Sequence, residues 1–243
     1  MKENMENVAY TKEYKDRIEY FHNELFKPDY LRDERLIEID KDISALIRDY
    51  STKSYNEKYE KYTLVPSLLA SEGTIYKNGL EIYSYRSIDD GGDPTTFIHQ
   101  NGNKYLVFHK DLYGYSVLDL MTMQVFDYFP AESFPEGETF IWCDIHYNPQ
   151  NNIMAVGGCF WAVPYSVILV DFTNPMKDCL QIDIDELIAS KLNNDCHIEF
   201  STWDGTDLIL EKGTGSDEES KERIVLSSEE YMELFRKEKE KFL

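Results

Sequence analysis

Tyr105-Leu106-Val107-Phe108-His109-Lys110-Asp111-Leu112-Tyr113-Gly114-Tyr115-Ser116-Val117-Leu118-Asp119-Leu120 decides the fold class of this chain. Two β-branched and aromatic runs flank a short loop containing glycine, the pattern of adjacent strands. Upstream, Asn101-Gly102 separates the first run from Phe97-Ile98-His99, and downstream a short turn leads to Val125–Phe129. The unit therefore reads as four strands. The same order of parts returns between Ile141 and Ile184: strand, Asn148-Pro149 turn, strand Ile153–Val156, aromatic loop, a strand opening on Tyr165-Ser166-Val167, short turn, strand Cys179–Ile184. The offset of about 47 residues is that of a four-stranded repeat.

A looser copy runs from Ile198 through Asp204-Gly205 and Leu208–Leu210 to Ile224–Leu226, and a degenerate one covers Leu68–Arg86 around the hairpin signal Asn78-Gly79. Tyr147-Asn148-Pro149-Gln150-Asn151-Asn152-Ile153-Met154-Ala155-Val156-Gly157-Gly158 resembles the inter-strand turn and second strand of WD-repeat and related propeller blades. The resemblance spans roughly residues 70–228 and implies a mainly β fold, a small or incomplete β-propeller-like stack of antiparallel four-stranded meanders. The Gly-His and Trp-Asp dipeptides of true WD repeats are not at their expected places, and Trp203-Asp204 falls in a turn. A β-sandwich built from similar meanders uses the same strands. The runs around Val107, Val117, Ala155, Val156, Val167, Ile168 and Leu169 are too apolar for exposed sheet, so these residues are expected in the core.

The flanks read as helical. Tyr14, Ile18, Phe21 and Leu25 form one stripe after the N-cap candidate Thr11, with Pro28 limiting the helix, and Ile39, Ile43, Leu46 or Ile47, and Tyr50 suggest a second helix. Ser227 and Glu230 have capping-box spacing ahead of Tyr231, Leu234 and Phe235. The expected organisation is a helical segment over 1–63 packed on the sheet, a β-propeller-like domain over 64–228, and a C-terminal helix over 229–243.

The chain has 243 residues, 46 acidic against 25 Lys and Arg, and a formal charge of -21, of which residues 64–200 carry -13. Such a field repels phosphate backbones, which argues against direct nucleic-acid binding, and it attracts basic partners. No apolar run approaches the roughly 18 residues that span a bilayer, and Met1–Tyr10 lacks a secretory pattern. Cys143, Cys159, Cys179 and Cys196 are expected as reduced thiols in a cytoplasmic protein.

Two segments carry candidate chemistry. Trp142-Cys143-Asp144-Ile145-His146 places Asp144 and His146 on one strand face with Cys143 on the other, a carboxylate beside an imidazole suited to acid–base work. Gly157-Gly158-Cys159-Phe160-Trp161-Ala162-Val163-Pro164-Tyr165 puts large apolar residues where a turn is usually polar. Tyr113 lies in the equivalent loop of the preceding unit. Phe160, Trp161, Tyr113 and Tyr165 are therefore the binding candidates, since Trp and Tyr serve as interface anchors. Asp89-Asp90-Gly91-Gly92-Asp93 lacks the spacing of a calcium loop, and Gly213–Ser220 reads as a charged loop. No cofactor or metal site is signalled. The leading expectation is a non-enzymatic acidic protein-binding module that masks a basic partner, similar in character to bacterial immunity proteins. The alternatives are a propeller-type hydrolase or lyase using Asp144 and His146, and an adaptor that makes contact through its helices.

Overall fold

The computed structural model describes residues 6–52, 55–56, 61–62, 68–88, 92–161, 163–191, 197–213 and 222–241. The chain is mainly β: four antiparallel sheets of three or four strands follow one another in sequence, with three α-helices. The first sheet holds β1 (Leu31–Asp40), β2 (Ile43–Ser51), β5 (Leu69–Lys77) and β6 (Leu80–Ile88), with a small pair β3 (Tyr55–Asn56) and β4 (Lys61–Tyr62) between β2 and β5. The second is the meander β7 (Thr95–Ile98), β8 (Lys104–Phe108), β9 (Tyr115–Asp119) and β10 (Val125–Tyr128). The third is β11 (Ile141–Asn148), β12 (Ile153–Cys159), β13 (Ser166–Asp171) and β14 (Gln181–Asp183). The fourth is β15 (His197–Asp204), β16 (Asp207–Gly213) and β17 (Arg223–Leu226).

Consecutive sheets share cores, which explains the unbroken apolar runs of the middle strands. In β8, Leu106 and Phe108 pack with Ile43, Ile47 and Ile75 of the first sheet, while Tyr105 and Val107 pack with Trp142, Met154 and Val156 of the third. In β12 and β13, Met154, Val156, Ile168 and Val170 face the second sheet, and Ile153, Ala155, Val167 and Leu169 face the fourth. A strand buried on both faces has no polar side to alternate with. All seven residues expected in the core are buried. Ile168→Val removes one methylene from the core between the second and third sheets and is expected to cost about 0.5–1.5 kcal/mol in chemical denaturation. No core cluster among the described residues joins the fourth sheet to the first, and these residues form no closed barrel or propeller ring.

The turns follow the sequence signals. Asn78 and Gly79 both take positive φ, +50° and +78°, as the tight hairpin between β5 and β6 requires. Thr11 caps α1 (Lys12–Leu25), and Ser227 with Glu230 forms the capping box of α3 (Ser228–Glu240), whose Tyr231 and Phe235 are buried.

The expected helical segment over 1–63 is corrected after residue 30. Ile39, Ile43 and Ile47 recur every four residues, but four is also twice the strand period, and Ile43, Ala45 and Ile47 alternate inward along β2. β-branched side chains favour the extended form. The outer face is held by alternating charges in register across all four strands: Glu34, Arg48, Glu72 and Arg86 are successive cross-strand partners and ion pairs. β structure thus begins at Leu31 rather than near residue 64. A further helix, α2 (Asp185–Lys191), interrupts the expected all-β span, anchored by buried Ile188 in the core shared with the fourth sheet.

His109 is buried behind the β8–β9 loop, and its Nδ1 lies 2.8 Å from the Gly114 carbonyl, to which the neutral ring donates. Burial lowers its pKa, against the opposing effect of that hydrogen bond; burial also lowers His22 and His146. Below about pH 6.5 the unfolded chain takes up protons that the folded chain refuses, so this stability is complete above pH 6.5 and is lost on acidification. The melting temperature is expected to fall between about pH 7 and 5, and less steeply in His109→Gln. Parallel profiles for the two proteins would contradict this assignment.

Candidate functional site

Gly158 sets the geometry of the third sheet's open end. A Cβ there would lie 1.9 Å from the Ile141 carbonyl oxygen and 2.8 Å from the Phe140 ring, so β11 approaches β12 closely only because residue 158 has no side chain. The neighbouring Gly157 leaves room for the Tyr165 ring, which lies over it. Between Trp142 and Asp144 the β11–β12 register shifts by one residue, placing a bulge at Cys143. The consequence is a change of face. Trp142 enters the core toward the second sheet, stacked on Tyr115 at 4.5 Å, whereas Asp144 and His146 turn toward the fourth.

The loop between β12 and β13 separates two hollows. Its first residue, Phe160, lines a cleft of about 140 Å³ together with Tyr113, Tyr128, Phe140 and Ile168, rimmed by Glu132, Glu138 and Asp183. Phe160 meets Phe140 edge-on at 5.3 Å. Tyr165, at the other end of the loop, lines a second hollow of about 420 Å³ with Asp144, His146, Gly157, His197, Glu199 and Phe200. Between them the chain presents Trp161, 61% exposed, and Val163, 52% exposed, an apolar crest on a strongly acidic protein. Five residues span at most ~18 Å, so the two hollows flank the crest loop within that distance, one toward the second sheet and the other toward the fourth. Among the described residues, neither hollow is lined by a lysine or an arginine.

Of the four binding candidates, Tyr113 and Phe160 meet in one cleft, Trp161 stands exposed beside it, and Tyr165 belongs to the second hollow. Tyr113 is half-buried and also packs against the buried cluster of Ala9, Tyr14 and Phe129. Its loop is clamped to α1 through Asp111, which accepts from Arg17 at 2.6 Å and lies beside the Tyr14 hydroxyl. The fourth sheet is tied to the crest loop where Ile198 N donates to the Tyr165 carbonyl at 2.8 Å.

Asp144 and His146 share the second hollow, with Cys143 outside its lining. No hydrogen bond links the two among the described residues. Asp144 Oδ2 accepts from the Tyr165 hydroxyl, and the His146 ring lies flat on Phe200 at 3.9 Å. Burial, with the Asp144 bond adding to it, pushes the Tyr165 pKa well above its ordinary value and keeps the phenol protonated. His197 and Glu199, joined at 2.8 Å between Nε2 and Oε1, complete the hollow. Their spacing of two along β15 is the sequence signal that would have grouped them; nothing local connects them to Asp144. No group of three or more His, Cys, Asp or Glu among the described residues is arranged to hold a metal ion. Cys143, Cys159 and Cys179 are free thiols, Cys196 lies outside the described residues, and burial raises Cys179 to about 12. Positions 89–91 and 214–221, which include most of the two acidic loops read from the sequence, also lie outside the described residues.

A cavity of about 860 Å³ runs beneath α1 and has a different character. Two of its cations have carboxylate partners, Lys110 with Asp127 at 2.8 Å and Arg86 with Glu72 at 3.0 Å, while Lys15 lies over the Tyr10 ring. In these two pairs the charges neutralise one another within the seam. Among the described residues no helix is long and apolar enough to cross a membrane. Comparison with protein-family models, curated proteins and solved structures finds no match to this chain.

Proposed function

We propose that this protein is an acidic, cytosolic binding module that masks a basic protein partner, in the manner of an immunity-type protein, and that it is not an enzyme. The observation that carries this reading is the crest: exposed Trp161 and Val163 stand between two hollows whose described lining carries carboxylates and no lysine or arginine. An aromatic anchor inside an acidic rim combines desolvation at the centre with electrostatic steering from the edge. The net charge of -21 extends that steering beyond the contact. The four sheets are read as propeller-like blades whose shared cores hold the loops of the second and third sheets at one end. This reading rests on the repeat of meanders and their sequential packing.

The hydrolase or lyase reading needs Asp144 to orient His146, and the Asp144 bond to Tyr165 gives that reading no support. The test is capture on immobilised protein from an extract of its native host, followed by elution in a salt gradient and mass spectrometry. A basic protein released between about 0.1 and 0.5 M salt is expected, because exposed charge pairs are screened over that range. A neutral or acidic partner whose retention ignores salt would overturn the proposal.

A further inference from the structure

The second hollow adds chemical detail to this surface, and the inference drawn from it rests on the binding reading above. We propose that the hollow formed by Asp144, Tyr165, Glu199 and Phe200 receives an arginine side chain of the basic partner.

Its two carboxylates come from different sheets, Asp144 from β11 and Glu199 from β15. Each is held by one oxygen: Asp144 Oδ2 by the Tyr165 hydroxyl, and Glu199 Oε1 by His197 Nε2 at 2.8 Å. No hydrogen bond among the described residues reaches Asp144 Oδ1 or Glu199 Oε2. Two oriented acceptors are therefore open to a ligand, and among the described residues no lysine or arginine lines the hollow. The walls are flat rings. His146 lies on Phe200 with an interplanar angle of 10°, and Tyr165 runs alongside His197 at 5.2 Å and 29°. A guanidinium is planar, presents several N–H donors in a fixed fork, and stacks on aromatic faces; a lysine ammonium is a compact, strongly hydrated point charge that gains little from flat walls. A volume of about 420 Å³ lies within the range of small-ligand sites. Position supports the same occupant. Tyr165 closes the crest loop, so a partner that lays apolar surface on Trp161 and Val163 brings its neighbouring side chains to the mouth of the hollow.

The probe is N-acetyl-L-arginine amide, followed through the ring signals of His146, His197 and Tyr165 by NMR. Saturable shifts are expected. The uncharged citrulline amide should bind at least about tenfold more weakly, since charge-assisted hydrogen bonds are lost, and the lysine amide at least about fivefold more weakly. Glu199→Gln and Asp144→Asn should each weaken arginine at least about fivefold. Should Asp144→Asn fail to fold, exposed Glu199→Gln and the citrulline comparison still decide. Absence of saturable shifts up to about 50 mM would overturn the proposal, as would equal binding of citrulline or lysine. This test needs no partner, so it fails independently of the binding reading. A silent hollow leaves a partner footprint on the crest intact, and a partner bound elsewhere leaves arginine binding to stand.

Discussion

Gly158→Ala is expected to lower stability by at least about 3 kcal/mol, because the new methyl must displace backbone rather than a flexible side chain. The Ile141 carbonyl would sit 1.9 Å from it. Relief requires β11 to move away from β12, which opens the bulge at Cys143 and loosens Phe140 in the core between the second and third sheets. For a chain of this size the loss corresponds to a drop of about 6–12 °C in melting temperature. Gly79→Ala is the contrast. It has nothing within 4 Å, so only its positive φ of +78° is penalised, and about 1 kcal/mol is expected. Equal melting temperatures for the two variants would show that the close approach at Gly158 is not a constraint.

Trp161→Ala is expected to weaken partner binding by at least about 2 kcal/mol, near thirtyfold, with the melting temperature within about 1 °C of the parent. The separation follows from exposure. A side chain 61% exposed contributes little to the fold, and an indole desolvated at the centre of an acidic rim contributes heavily to association. Titration calorimetry with the captured partner reads the first quantity and thermal unfolding the second. Loss of stability would assign Trp161 to the core; unchanged binding would move the contact off the crest.

How far the sequence discloses this molecule depends on whether the relevant order is local. The Asn-Gly turns, the caps at Thr11 and Ser227, and the twice-buried runs of β8, β9, β12 and β13 are each specified within a few residues, and all are found in the structure. β1 and β2 were hidden because Ile39, Ile43 and Ile47 satisfy helix and strand periods at once; only the inward alternation of Ile43, Ala45 and Ile47 separates them. α2 is seven residues long and held by Ile188 in a core assembled from distant strands, which local pattern does not reveal. The site divides the same way. The aromatic loop stood out in the sequence, and the shared cleft of Tyr113 and Phe160 follows from equivalent loops on adjacent meanders. The bulge that swings Asp144 away from Trp142, and the arrival of His197 and Glu199 beside it, depend on pairings between β11, β12 and the fourth sheet.

The proposed partner binds across the crest between the two hollows. Hydrogen–deuterium exchange of the protein with and without its captured basic partner measures this directly. Protection is expected to be confined to the loops around Leu112–Tyr115 and Phe160–Ser166 and to the start of β15, with the outer face of the first sheet and the seam beneath α1 unchanged. Protection at α1 or on the first sheet, with the crest loop exchanging as freely as before, would contradict it.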